Sequence, residues 1–136
     1  MILYRPVGVR ELELIAESGF TAFPPRLEHQ PIFYPVLSFD YVEQIARDWN
    51  TKDKASGFCG FVTRFELAES FARRFEVHRI GSAAHEELWV PAEELDEFNR
   101  QIEGRIEIIA HYYGEHCDQP IDPETGLPVQ IVTRRR

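Results

Sequence analysis

Only two cysteines, Cys59 and Cys117, occur in the 136 residues. That is too few for a disulfide framework, so both read as reduced thiols. Long apolar runs are missing as well. No stretch approaches the length that spans a bilayer, and Met1-Ile-Leu-Tyr-Arg5-Pro has no apolar segment of the kind a secretory leader carries. Export and membrane insertion therefore lack support, and the expected location is cytoplasmic, with no membrane partner. Cations are scarce: 15 Lys and Arg stand against 23 Asp and Glu, for a net charge of -8. A nucleic-acid backbone is not indicated as a partner, because phosphate binding wants a basic face. The chain has no internal repeat and no low-complexity block before its tail.

What is present suits one domain. A hydrophobic content of 43% in a chain of this length buries roughly two-thirds of the unfolded surface. The stretch Pro31–Asn50 is the most informative. Ile32-Phe33-Tyr34 between Pro31 and Pro35 predicts a strand confined by prolines. Ser38 then predicts a helix N-cap, with Asp40 in the first turn where a carboxylate suits the dipole. Val42, Ile45, Ala46 and Trp49 recur at helical spacing, so all four are expected on a buried face.

Elsewhere, Ile2–Tyr4 predicts a first strand ended by Arg5 and Pro6, and Val9, Leu12, Ile15 and Ala16 a helix stopped by Gly19. Residues 20–30, with Pro24, Pro25 and Arg26, carry no period and read as loop, as do the polar residues 50–57. Gly60–Leu67 alternates, with Phe61, Thr63, Phe65 and Leu67 on one face, the pattern of a strand. A short helix at 68–74, a strand at 76–80 closed by Gly81 and Ser82, and a strand at 86–90 follow. Pro91 opens a helix with Ala92, Leu95, Phe98 and Ile102 inward and Gly104 as its stop, and Ile106–Tyr113 alternates again. Residues 1–114 form the expected domain. Residues 115–136, with Pro120, Pro123, Pro128 and a terminal arginine triplet, read as a C-terminal arm, flexible by composition. A homodimer through that arm is one expectation. Roughly five or six strands and three or four helices without regular alternation predict an α+β domain.

Several reactive residues have bland readings. Cys59 enters an alternating strand rather than a strand-to-helix elbow and reads as a buried thiol. His111, His116 and Cys117 offer half of a metal site with no second pair to complete it, and His85-Glu86-Glu87 lacks the second histidine of a zinc-protease helix. No metal is expected. Arg10, Glu11, Glu13 and Glu17 read as the solvated side of a helix.

Three positions fit together better: Arg5 at the end of the first strand, Tyr34 before the central helix, and Glu87 at the head of Leu88-Trp-Val-Pro91. In their surroundings the sequence resembles the ADP-ribosyltransferase superfamily, which binds NAD and transfers ADP-ribose. Leu3-Tyr4-Arg5 resembles that superfamily's first block, Ile32-Phe33-Tyr34 with the Ser38-capped helix its second, and Glu87-Leu88-Trp89-Val90-Pro91 its third. The chain is also similar to small bacterial proteins labelled ADP-ribosylation/crystallin J1, although it is too short for a helical, metal-dependent glycohydrolase. The resemblance implies a mixed, mostly antiparallel sheet split around a cleft, and NAD as substrate. It implies Glu87, Tyr34 and Arg5 as catalytic residues, and Arg5, Arg26, Tyr34 and Ser38 as NAD-binding ones. Glu87 would stabilise the oxocarbenium-like centre formed on losing nicotinamide, Tyr34 would stack on the ring, and Arg5 and Arg26 would meet pyrophosphate or ribose oxygens. The second block lacks a Ser-Thr-Ser signature, and His85 stands where arginine-modifying members carry a second glutamate, so the acceptor stays open.

Two other classes compete. One is a non-catalytic acidic interaction or inhibitor protein, whose charge steers it to a basic partner; the other is a module that holds NAD or ADP-ribose without turnover. An enzyme gathers Arg5, Tyr34 and Glu87 around one concavity, whereas a partner-binding protein scatters them.

Overall fold

The computed structural model describes residues 1–81 and 85–135, so Ser82 lies outside the described residues. The first strand, β1 (Ile2–Val7), runs past Arg5 and Pro6, and its period buries Leu3, Arg5 and Val7. Helix α1 (Val9–Glu17) buries Val9, Leu12, Ile15 and Ala16, the stripe its spacing predicts, and Gly19 at φ +76° turns the chain out of it. A two-residue strand, β2 (Ile32–Phe33), leads to α2 (Phe39–Asp48), whose Ser38 cap accepts a hydrogen bond from the Tyr41 N–H at 3.2 Å. Strand β3 (Cys59–Leu67), helix α3 (Glu69–Ala72), strands β4 (Val77–Arg79), β5 (Glu86–Leu88) and β6 (Val90–Pro91), helix α4 (Leu95–Arg100), strand β7 (Ile102–Tyr113) and helix α5 (Val129–Arg135) complete an α+β fold.

β3 is the middle strand of the sheet order β1-β3-β7, and every named strand pair is antiparallel rather than mixed. Its alternation serves two cores. Phe61, Phe65 and Leu67 join the main one with α1 and α4, while Val62 joins Val36, Val42 and Ala46 in a smaller one beneath α2. On the outer side of β1, Tyr4 and Val36 exchange backbone hydrogen bonds of 2.9 and 2.8 Å. Two residues further along the same edge stands Pro6, which has no N–H to offer, and no bridge to the 34–36 segment is made there. Val36 in turn sits opposite Glu87, where the Leu37 N–H donates to the Glu86 carbonyl at 3.0 Å and the Leu88 N–H to the Pro35 carbonyl at 2.8 Å, so the 35–37 segment joins β1 to the β4–β5 pair.

Three sequence expectations are corrected. Trp49 is 60% exposed, because the buried stripe of Val42 and Ala46 continues one turn later at Asn50. Trp49→Ala is accordingly expected to change the unfolding free energy by less than about 1 kcal/mol, read from the urea midpoint. Gly104 lies inside β7 at φ +78°, beside a register shift against β3, and α4 stops earlier because strand pairing takes over at Ile102. Residues beyond Gly114 do not form an extended arm. Leu127 and Ile131 enter the main core, the Tyr113 hydroxyl donates to the Gly126 carbonyl at 2.5 Å, and Arg134 reaches Glu17 at 3.6 Å. Those two apolar side chains are thereby buried within the chain. No helix among the described residues is long and apolar enough to cross a membrane.

Candidate functional site

The pairs Ile32–Pro91, Phe33–Val90 and Val36–Glu87 share one antiparallel register, although the ladder is interrupted between them. The same register sets Tyr34 opposite Trp89, and alternation puts Tyr34, Val36, Glu87 and Trp89 on one face. Together with Arg5 and Pro6 they line a hollow of about 360 Å³. The three sequence candidates Arg5, Tyr34 and Glu87, carried by three separate segments, therefore meet at one concavity. Tyr34 stands edge-on to Trp89, with ring centroids 6.0 Å apart and planes at 88°, and His78 from β4 stacks flat on the indole at 3.8 Å.

Glu87 is held at both oxygens. The Trp89 indole N–H donates to Oε1 at 2.9 Å, and the Tyr41 hydroxyl donates to Oε2 at 3.3 Å. Each oxygen keeps a further lone pair for another donor. Tyr41 itself lies flat against His85, with centroids 4.4 Å apart. Burial, and then the charge and hydrogen bond of Glu87, raise the Tyr41 phenol above the ordinary tyrosine value, so it stays a donor at neutral pH. Neither Tyr41 nor Trp89 is among the sequence candidates. Trp89 was within reach, since a strand residue two places from Glu87 shares its face; Tyr41, on a helix, gave no signal.

Arg5 is only 8% exposed and its guanidinium is already engaged. Nε and Nη2 donate to the two oxygens of Glu11 at 2.6 and 2.9 Å, and the carbon between them sits 4.6 Å from the centre of the Phe33 ring. Glu11 is thus not part of a merely solvated helix face; it fixes Arg5, leaving Nη1 outside that pair. Arg26 lines an adjoining hollow of about 570 Å³, which shares Arg5, Pro6, Tyr34 and Ile45 with the first. Burial, followed by the nearby charge of Arg5, depresses the Arg26 guanidinium below the ordinary arginine value, with Glu11 and Tyr34 pulling the other way. Ser38 lines neither hollow and caps α2.

Cys59 is fully buried, and burial together with Cys117 pushes its thiol up to about 12, which removes the thiolate from reach at neutral pH. Among the described residues no group of three or more His, Cys, Asp and Glu could hold a metal ion. No family model, curated protein or solved structure matches this chain.

Proposed function

We propose that this protein binds NAD in the joined hollows, cleaves the nicotinamide–ribose bond and passes ADP-ribose to an acceptor or to water, as an ADP-ribosyltransferase-like domain with its sheet split around the cleft. The observation that carries this reading is the convergence of Arg5, Tyr34 and Glu87 on one cavity wall from three distant segments. A carboxylate gripped by two donors cannot swing away, so its charge is pre-aimed at a ribose whose anomeric carbon becomes positive as nicotinamide departs. Its remaining lone pairs can accept ribose hydroxyls. Tyr34 and Trp89 supply aromatic surface for the nicotinamide ring, Arg26 supplies positive charge for the pyrophosphate in a protein that is otherwise acidic, and Arg5, its charge offset by Glu11, offers Nη1 as a donor. Both volumes fall in the ordinary range for small-molecule sites.

Calorimetric titration with NAD tests the reading, alongside chromatographic measurement of free nicotinamide. Saturable heat together with release is the expected outcome. Absence of binding at millimolar NAD overturns the reading, and binding without release reassigns the protein to a module that holds the dinucleotide without turnover.

A further inference from the structure

Glu87 owes its fixed position to two donors of unequal quality. The Trp89 indole N–H meets Oε1 at 2.9 Å, inside the usual range, whereas the Tyr41 hydroxyl stands 3.3 Å from Oε2, beyond the usual range for a hydroxyl donor. The indole is the firmer of the two. Yet Trp89 falls in the gap between β5 and β6 and is 39% exposed, so neither a strand ladder nor deep burial fixes its ring. The plane of the indole needs another support.

That support comes from β4. In the antiparallel β4–β5 register His78 stands directly opposite Glu87, so the two side chains share a face, and Trp89 takes the diagonal position two residues on. The imidazole lies along that diagonal, flat on the indole, with centroids 3.8 Å apart and planes 9° from parallel. Tyr34 meets the same indole only edge-on, at 6.0 Å. The ion partner of His78 decides between a role for its charge and a role for its plane. Glu76 Oε2 lies 3.4 Å from Nε2, but that glutamate side chain is 88% exposed, and a pair so open to water contributes little. The flat contact is what His78 brings. His78 lines neither hollow, whereas Trp89 lines the smaller one, so the imidazole acts on a ligand there only through the indole.

We propose that His78 is a positioning residue for the chemistry at Glu87: stacked behind Trp89, it sets the indole plane so that the N–H points at Oε1 and the carboxylate stays aimed into the hollow. This rests on the reading of Glu87 as the charge that meets the ribose when nicotinamide departs. Without the imidazole, Trp89 is free to turn about its side-chain torsions, and Glu87 keeps only the longer bond from Tyr41. Another flat ring at position 78 restores the support, because the contact uses aromatic area rather than a proton.

The test compares wild type, His78→Ala and His78→Phe in steady-state nicotinamide release from NAD. The set is repeated in a Trp49→Phe background, where Trp89 is the sole tryptophan, to follow its time-resolved fluorescence anisotropy. His78→Ala is expected to lower kcat about three- to tenfold, the worth of one hydrogen bond, with a smaller change in KM, and to add a fast local component to the anisotropy decay. His78→Phe is expected to return both to near the wild-type values. A histidine with a merely structural role would shift the melting temperature and leave kcat and the motion of the indole unchanged in the folded protein, and that result overturns the inference. A loss of kcat in His78→Phe equal to that in His78→Ala also overturns it. If the wild type releases nicotinamide at a rate that neither variant changes, the cleavage reading stands and the inference falls. If the wild type releases none, the cleavage reading falls and the anisotropy decides alone: a fast component in His78→Ala that is absent from His78→Phe supports the clamp, and the same decay in all three proteins overturns it.

Discussion

Glu87→Gln is expected to lower nicotinamide release from NAD by about 10²- to 10³-fold, the range for removing one pre-aimed electrostatic partner of a transition state. The amide keeps size and shape but not charge, so it cannot offset the positive ribose. It still offers one oxygen to the pair of donors, Trp89 Nε1 and the Tyr41 hydroxyl, which now hold both carboxylate oxygens. The loss of stability should therefore stay near about 1 kcal/mol, the size of a single hydrogen bond. Single-turnover release and a thermal melt on the same two proteins separate these effects. Equal release rates would remove Glu87 from the chemistry, and a collapse of the melting temperature would mean that its role is structural.

Phe98→Ala is expected to cost about 3–5 kcal/mol of unfolding free energy, a large fraction of a small domain's total. Phe98 is fully buried and makes edge contacts with Phe33 at 5.3 Å, Phe65 at 5.9 Å and Phe71 at 6.3 Å, so its removal opens a void that four elements line. Urea unfolding followed by fluorescence gives the number, and a loss below about 1 kcal/mol would place the ring outside the core. The effect should also be felt at the cleft. Phe33 carries the Arg5 guanidinium on its face and immediately precedes Tyr34, so NAD affinity in the surviving folded fraction should fall as well.

The local parts of this architecture were legible because their signals are periodic. Val9, Leu12, Ile15 and Ala16 gave α1, the alternation from Phe61 to Leu67 gave β3, and Ser38 gave the start of α2. What failed depended on partners far away in the chain. Trp49 fits the helical stripe as well as Asn50 does, and only the packing against β3 at Gly60 decides that the polar residue goes inside. Gly104 looked like a helix stop because a left-handed glycine serves a strand irregularity equally well. The tail's prolines suggested disorder, whereas Leu127 and Ile131 anchor it.

At the site the same division holds. Arg5, Tyr34 and Glu87 could be marked by position and resemblance, and they do share a hollow. The groups that fix their geometry could not be marked. Glu11 reads as one more acidic helix residue, and Tyr41 carries no signal of its own. Hydrogen-bond partners of this kind leave no periodic trace, because each depends on where two separate segments happen to cross.

The position of β3 between β1 and β7 has a consequence for how the protein is made. Its partners lie far before and far after it in the chain, so neither ladder can close early, and the entropy of two long loops must be met before these ladders reward it. On the ribosome the first strand waits for its ladder partner until nearly half of the polypeptide has been made, with only the bridge to Val36 available sooner. Refolding should accordingly be slower than that of a helical bundle of equal length, and nascent chains halted just after β3 should be prime clients for chaperones.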